Sequence, residues 1–435
     1  MRRYILPALV MLLLIAARAH AELTIQITQG LEGAMPIAIV PFGWQGKGAP
    51  AQDVSSIIVA DLTRSGRFAP LPIKQLVAQP HEASAVDFAD WRKLAVDNLV
   101  VGDVSLLPDG RYQVRFQLLD VFRATQLTGY SIVSQAGSLR QTAHQISDII
   151  YQALTGQRGA FDTYIAYVTV VTAKDGKKTY RLAIADADGY NEQIIYESPQ
   201  PLLSPAWAPD GKRLAYVSFT RGRPEIYIQN VITKHAERVA AFPGLNNAPA
   251  WSPDGQRLAM TLSKDGNADI YILDLQTRKL QRITTSYAID TEAAWMPDGR
   301  SLVFTSDRGG RPQLYQVDIG AAGAIGQVRR LTFDGDYNAR AAVSPDGKKV
   351  AMVHGTGGAF RIAVQDLATG NLQVLTDTQL DESPTFSPNG SMIMYATEAN
   401  NHGVLEVVSV DGRMHQTLSL RQGDVREPAW SPFKH

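Results

Sequence analysis

The chain of 435 residues is 45% apolar and 19% charged, the balance of a globular protein and not of a disordered one. Its 42 basic residues match 42 acidic ones, so there is no bulk positive charge with which to grip nucleic acid. It has no cysteine, which excludes thiol nucleophiles, redox pairs, thiolate zinc sites and disulfides.

The first stretch reads as an export signal. Arg2 and Arg3 precede an apolar run of 13 residues, Ile5 to Ala17, which is too short to span a bilayer. Ala19-His20-Ala21 then forms a cleavage site, with Glu22 as the expected first mature residue. Removing residues 1–21 leaves 39 basic against 42 acidic residues, a net charge of −3. The expectation is a soluble, exported, monomeric protein with no membrane insertion.

Residues 22–160 carry no repeat and read as an α/β domain. Strands are expected at Leu23–Thr28 and Ile37–Phe42, then a helix at Asp53–Arg64 with Val54, Ile57, Ile58 and Leu62 on one face. A strand near Arg67–Leu71 and a helix near Asp87–Val96 follow. Three strands come next, Asn98–Leu106, Arg111–Val121 and Thr125–Val133, the first two joined by Pro108-Asp109-Gly110. The last helix covers Ser138–Leu154, with Gly156 as its stop.

Residues 161–435 are governed by one recurring phrase. It reads PAWAPDG at Pro205–Gly211, PAWSPDG at Pro249–Gly255, AAWMPDG at Ala293–Gly299 and AAVSPDG at Ala341–Gly347, then PTFSPNG at Pro384–Gly390 and PAWSP at Pro428–Pro432. Counted from Trp207, Trp251, Trp295, Val343, Phe386 and Trp430, the spacings are 44, 44, 48, 43 and 44. That period belongs to a β-propeller, and six phrases imply six blades of WD40-like type. Ile226, Ile270, Leu314, Ile362 and Leu405 each lie 19 residues past their anchor and mark the third strand of a blade. The aromatic anchors are expected to pack between neighbouring sheets.

The sixth phrase has no strands after it, while Tyr164–Val171, Tyr180–Ala185 and Gln193–Tyr196 have no phrase before them. Joining the two ends completes one blade and removes the open sheet edges. The loops that enter the innermost strands then lie together on one face, beside the pore. They carry Leu245, Asn246, Asn247, Asp290, Thr291, Glu292, Asn338, Arg340, Asp381, Glu382, Arg426 and Glu427. A polar, mostly acidic rim of this kind suits a partner segment or a hard cation, and it is equally what solvated loops look like.

Catalytic signals are weak. There is no G-x-S-x-G elbow, no H-x-x-x-H pair and no phosphate loop. Asp186-Ala187-Asp188-Gly189 imitates the start of a calcium loop but lacks its distal glutamate, and reads as a turn. No catalytic residue, metal site or cofactor is assigned. The residues by themselves leave open a ligand- or metal-binding propeller or an enzyme acting on envelope glycans.

The phrases, the export signal and the small first domain together resemble the TolB family of periplasmic propellers. Ile39-Val40-Pro41-Phe42-Gly43-Trp44, Gly159-Ala160-Phe161, Ile165-Ala166-Tyr167-Val168 and Ser198-Pro199-Gln200-Pro201-Leu202 carry that resemblance outside the repeat. It implies a non-enzymatic adaptor of the Tol–Pal system, which maintains the outer membrane and its constriction during cell division. Such an adaptor binds the lipoprotein Pal at the pore face, on the rim residues named above. It binds TolA through its mature N-terminus, here Glu22, Leu23, Thr24, Ile25, Gln26, Ile27 and Thr28, and in some bacteria colicins exploit it. Thr291 and Glu292 keep the family's residue types. Leu245 stands where the family can carry a histidine, so any contact there is apolar.

Overall fold

The computed structural model describes residues 24–29, 33–46, 48, 50–320, 323–419 and 423–434. The export segment read at residues 1–21 lies outside them, as do Glu22 and Leu23. Among the described residues no helix is long and apolar enough to cross a membrane.

The first domain is one mixed sheet with strands ordered Phe68–Pro70, Met35–Ile39, Asn98–Leu106, Tyr112–Asp120 and Thr125–Ser134. Helix α1, Val54–Arg64, begins where Asp53 accepts a hydrogen bond from the Ser56 amide at 3.1 Å. A short α2, Phe88–Arg92, buries Trp91 on the other face of the sheet with Val101 and Leu119. Helix α3, Leu139–Thr155, ends at Gly156, whose φ of 77° a residue with a side chain adopts only at a cost. Ile58 and Leu62 of α1 and Ile146 and Ile150 of α3 close the main core over Val100, Val114 and Phe116.

Three expectations change here. The strand read at Ile37–Phe42 is Met35–Ile39, followed by a separate Gly43–Gln45. Ile39 pairs with Val100 and Gly43 with Asp103, so the chain around Pro41 holds one residue more than its neighbour and bulges out. The helix read at Asp87–Val96 stops after one turn and a half, and Ala95 turns left-handed with φ 52°. The strand read at Leu23–Thr28 does not belong to this sheet: Thr24–Gln29 pairs antiparallel with His415–Ser419 of the propeller.

The remaining chain forms six four-stranded antiparallel blades. Blades one to five start at their inner strands Leu202–Trp207, Asn246–Trp251, Asp290–Trp295, Tyr337–Val343 and Glu382–Phe386. Blade six joins Asp424–Trp430 to Tyr164–Thr172, Lys178–Asp186 and Gln193–Ser198, closing the ring from both chain ends as the phrase count implied. Ile226, Ile270, Leu314, Ile362 and Leu405 are wholly buried. The longer spacing of 48 is taken up in blade three, whose third and fourth strands, Gln313–Gly320 and Gly323–Arg330, each run to eight residues.

The anchors bind blade to blade. The indole N–H of Trp207 donates to Ala429 O at 3.1 Å, that of Trp251 to Ala206 O at 3.0 Å and that of Trp295 to Ala250 O at 3.1 Å. Each acceptor lies on the inner strand of the preceding blade. Arg213 and Arg257 add guanidinium groups 4.7 and 4.6 Å from the Trp251 and Trp295 ring centres.

The first domain docks on the face that carries the Pro-Asp-Gly turns, against blades five and six. Blade five is the one whose phrase reads Asn in place of Asp. Asn389 Nδ2 donates to Arg158 O at 2.9 Å, and Gln157 donates back to Asn389 O. An aspartate there would set a carboxylate against that carbonyl, so the departure from the phrase has a mechanical reason.

Candidate functional site

The six inner strands all begin on the face opposite the docked domain. Each carries a register shift against its neighbour strand, and each places one residue in left-handed backbone three positions before the anchor. Those residues are Ser204, Ala248, Glu292, Arg340, Ser383 and Glu427, with φ of 49, 47, 55, 54, 54 and 54°. None is glycine, so each position costs on the order of 1 kcal/mol in backbone strain. Cross-blade bonds offset it: the Glu292 and Arg340 amides donate to Thr261 and Thr305 of the preceding blades, both at 3.1 Å, and the Ser204 amide donates to Glu427 Oε2 at 3.1 Å.

The bulges aim three charged side chains at one another. Arg340 Nε lies 2.9 Å from Glu292 Oε1, its Nη2 lies 3.5 Å from Glu427 Oε1, and it also donates to Ser383. Blades three, four, five and six are thereby tied across the channel. Burial works against the Arg340 charge, but the Glu427 and Glu292 carboxylates and the charge of Glu382 outweigh it and raise the guanidinium above its ordinary pKa. The Arg340 guanidinium thus lies between carboxylates of two other blades and offsets their charge.

Beside Glu292, Arg340 and Glu427 of the charged centre, the other nine of the twelve rim residues read from the sequence fall into two groups. Asn246, Asp290, Asn338 and Asp381 occupy one repeated position, five before the anchor, and are fully buried. Asn246 bonds the backbone of Phe242 and Gly244, Asp290 receives Arg308 at 2.8 Å, Asn338 bonds Gln313 and His354, and Asp381 receives Thr376 and Thr378. These four shape the rim from within. Glu382 and Arg426 are exposed, and Leu245, Asn247 and Thr291 are half-buried beside the channel. Most of the twelve sit on the first residues of inner strands and not in loops, because the bulge lets pairing begin before the left-handed residue.

Four residues on the same face were missed. Tyr287 is 99% exposed, Phe333 71%, Ile289 53% and Leu380 44%, all in the segments leading into blades three, four and five. They leave large apolar side chains exposed in three successive blade connections of that face. A scan for polar loop residues passes over them, although large apolar side chains in three successive connections were a signal in themselves.

The N-terminal strand reaches this face too. Thr24 pairs with Ser419 and Gln29 with His415, so the strand runs back along the outer edge of blade five with its first residues toward the rim. Of the segment read as a docking arm, Thr24–Thr28 form that strand, while Glu22 and Leu23 lie outside the described residues.

The architecture has known counterparts. A family profile described as "TolB amino-terminal domain" matches residues 23–127, and one described as "TolB beta propeller domain" matches residues 151–434. The chain belongs to the TolB family. The Tol-Pal system protein TolB of Xanthomonas oryzae pv. oryzae is 54% identical over 99% of this chain and 98% of that protein. The protein of the same name from Nitrosococcus oceani is 55% identical over 98% and 97%. The crystal structure of TolB from Acinetobacter baumannii superposes with a TM-score of 0.87 at 44% identity, over 94% of this chain and all of that one. Family membership and the two-part architecture, an α/β domain followed by a six-bladed propeller, therefore agree with the resemblance read from the sequence.

Proposed function

We propose that this TolB-family protein is an exported periplasmic adaptor without enzymatic activity, which docks the lipoprotein Pal on its pore face and engages TolA through Glu22–Thr28. In that role it links envelope layers and supports outer-membrane constriction during division. One observation carries the docking surface. Among the described residues, the face away from the first domain exposes large apolar side chains in three blade connections around a fixed charged centre and a polar rim, the anatomy of a protein-docking surface. Glu292 and Glu427 are both engaged by Arg340, an arrangement for shape and charge matching and not for acid–base work.

The rim residues divide the labour on this reading. Tyr287 and Phe333 supply buried contact area, Glu382 and Arg426 steer the encounter, and Leu245, Asn247 and Thr291 line the approach to the channel. The four buried polar residues act by holding these in place.

The test is calorimetry with purified soluble Pal. Wild-type protein binds at micromolar strength or tighter, and the Tyr287→Ser, Phe333→Ser variant loses about tenfold or more in affinity, about 1.4 kcal/mol. Failure of the wild type to bind overturns the reading. Binding that the double variant leaves unchanged moves the site off this face.

A further inference from the structure

A second concentration of charge lies at the joint between the domains, away from the pore face. His144 of α3 sits with its side chain 1% exposed between two carboxylates that belong to different domains. Its Nδ1 is 2.7 Å from Asp61 Oδ2 on α1 of the first domain. Its Nε2 is 3.5 Å from Asp188 Oδ2, in the turn after the Lys178–Asp186 strand of blade six, and makes no hydrogen bond. Arg64 of α1 lies 2.9 Å from Asp61, and Arg140 of α3 pairs with Asp188 and lies over the Tyr190 ring at 4.1 Å.

A neutral imidazole has one N–H and one lone pair. With the proton on Nδ1, the lone pair on Nε2 faces the Asp188 carboxylate. With the proton on Nε2, the lone pair on Nδ1 faces Asp61 at hydrogen-bond distance. Only the doubly protonated ring presents a donor to each domain. The surrounding charges favour that form. Asp61 and Asp188 are the two carboxylates that face the ring, Arg64 and Arg140 each pair with one of them, and the imidazolium lies between the two.

We propose that His144 is a proton-operated latch, whose protonation fastens the first domain to the propeller and whose deprotonation loosens it. The rest of the joint is built to transmit the change. Asp148 accepts hydrogen bonds from the Phe161 amide at 2.8 Å and the Asp162 amide at 3.3 Å, clamping the linker. Gly159 packs so closely there that a Cβ would lie 2.4 Å from Asp148 Oδ1. Asp162 in turn holds Lys434 at 2.9 Å, and Lys434 lies 3.4 Å from Asp186. Apolar side chains share the joint with these charges, Tyr151 and Phe161 of the first domain and linker facing Met392 and Trp430 of the propeller, and relative motion across such a joint between domains is the ordinary expectation.

The direction of the pH effect follows from these groups. Burial pushes His144 down, but the Asp61 charge and hydrogen bond, with Asp188, more than reverse it against Arg64, and its pKa ends above the ordinary 6.5. Asp61 stays beside His144 in the first domain when the joint opens, so the share of this rise that belongs to closure is the one Asp188 supplies, and through it closure takes up a proton. The stabilisation is complete below the ordinary value and is lost as pH rises through the raised one. Asp148 acts in the same sense: burial lifts its carboxyl to about 6, against the two amide bonds, so its contribution also fades as pH rises through that value. Asp188 is held low by Arg64, His144 and Arg140 against burial, and titrates below this window.

The chain has no cysteine, so a spin-label pair at Arg123→Cys on the first domain and Gln256→Cys on the propeller is the sole labelled pair. Electron–electron distance measurements on the full mature chain are expected to give one narrow distribution near pH 5.5 and a broader one with longer distances near pH 8. Each unit by which closure itself raises the His144 pKa corresponds to about a tenfold change in the closed-to-open ratio. His144→Gln is expected to remove the pH response. Identical wild-type distributions at both pH values, or an undiminished response in His144→Gln, overturn the latch. Should that variant fail to fold, histidine NMR decides by comparing the wild type with Asp188→Asn: a His144 pKa that falls when the propeller carboxylate is removed upholds the proposal, and an unchanged one refutes it.

Discussion

Trp251 shows how much one residue of the phrase does. Its ring fills the space between two blades, its N–H bonds Ala206 of the blade before, and Arg213 lies across its face. Trp251→Phe keeps most of the buried area but leaves the Ala206 carbonyl unpaired and weakens the cation–π contact. The expected loss is about 1–2 kcal/mol, read as a lower denaturant midpoint with unchanged slope. Trp207, Trp251 and Trp295 are therefore interblade rivets, whereas the Trp430 indole bonds Thr163 at the entry to its own blade. Arg340 is the opposite kind of residue. It appears once, and its value lies in the two glutamates it meets.

At the scale of the element, the last inner strand matters most. Asp424–Trp430 pairs with Tyr164–Thr172 across the two ends of the domain, and Ala429 O receives the Trp207 indole. Deleting residues 428–435 removes that acceptor, the Trp430 anchor and Lys434 together. The expected outcome is loss of the single cooperative unfolding transition, seen by calorimetry, with exposed edge strands promoting association on light scattering. A truncation of equal length in a solvated tail would leave both measurements unchanged. The N-terminal strand is a weaker element of the same kind, since it adds a fifth strand to blade five and pairs along one edge only.

For the whole molecule, the two faces of the propeller have separate tasks. The turn face carries the first domain and its proton-sensitive joint, and the opposite face is open. The N-terminal strand connects them, because it lies on blade five, the blade against which the first domain docks, and its start points to the rim. On the proposed reading, TolA and Pal binding are then coupled, and the coupling is reciprocal. Deleting residues 22–28 from the mature protein is expected to abolish TolA binding and also to shift Pal affinity several-fold, both by calorimetry. Loss of TolA binding with unaltered Pal affinity removes the coupling and leaves two independent sites.

The repeat made the propeller legible, because a blade is a local unit: its turn residues, its alternating strands and its anchor all lie within about 45 residues. Ring closure could be counted from the unmatched phrase at one end and the unmatched strands at the other. Helices α1 and α3 were legible for the same reason, through their spacing, Asp53 and Gly156. Contacts between distant segments were not. Asn246, Asp290, Asn338 and Asp381 share a place five before the anchor, yet a short polar side chain there reads as an exposed rim residue, because the partners that bury it, such as Arg308 for Asp290 and His354 for Asn338, are not marked by any local pattern. His144 looked like one more scattered histidine, because Asp61 and Asp188 stand 83 residues before it and 44 after it. The sequence by itself determined the blades, their number and the face on which their inner strands begin. Only the tertiary structure decided which charges meet, because pairing across the channel and across the joint depends on distances between blades and domains that no local pattern encodes.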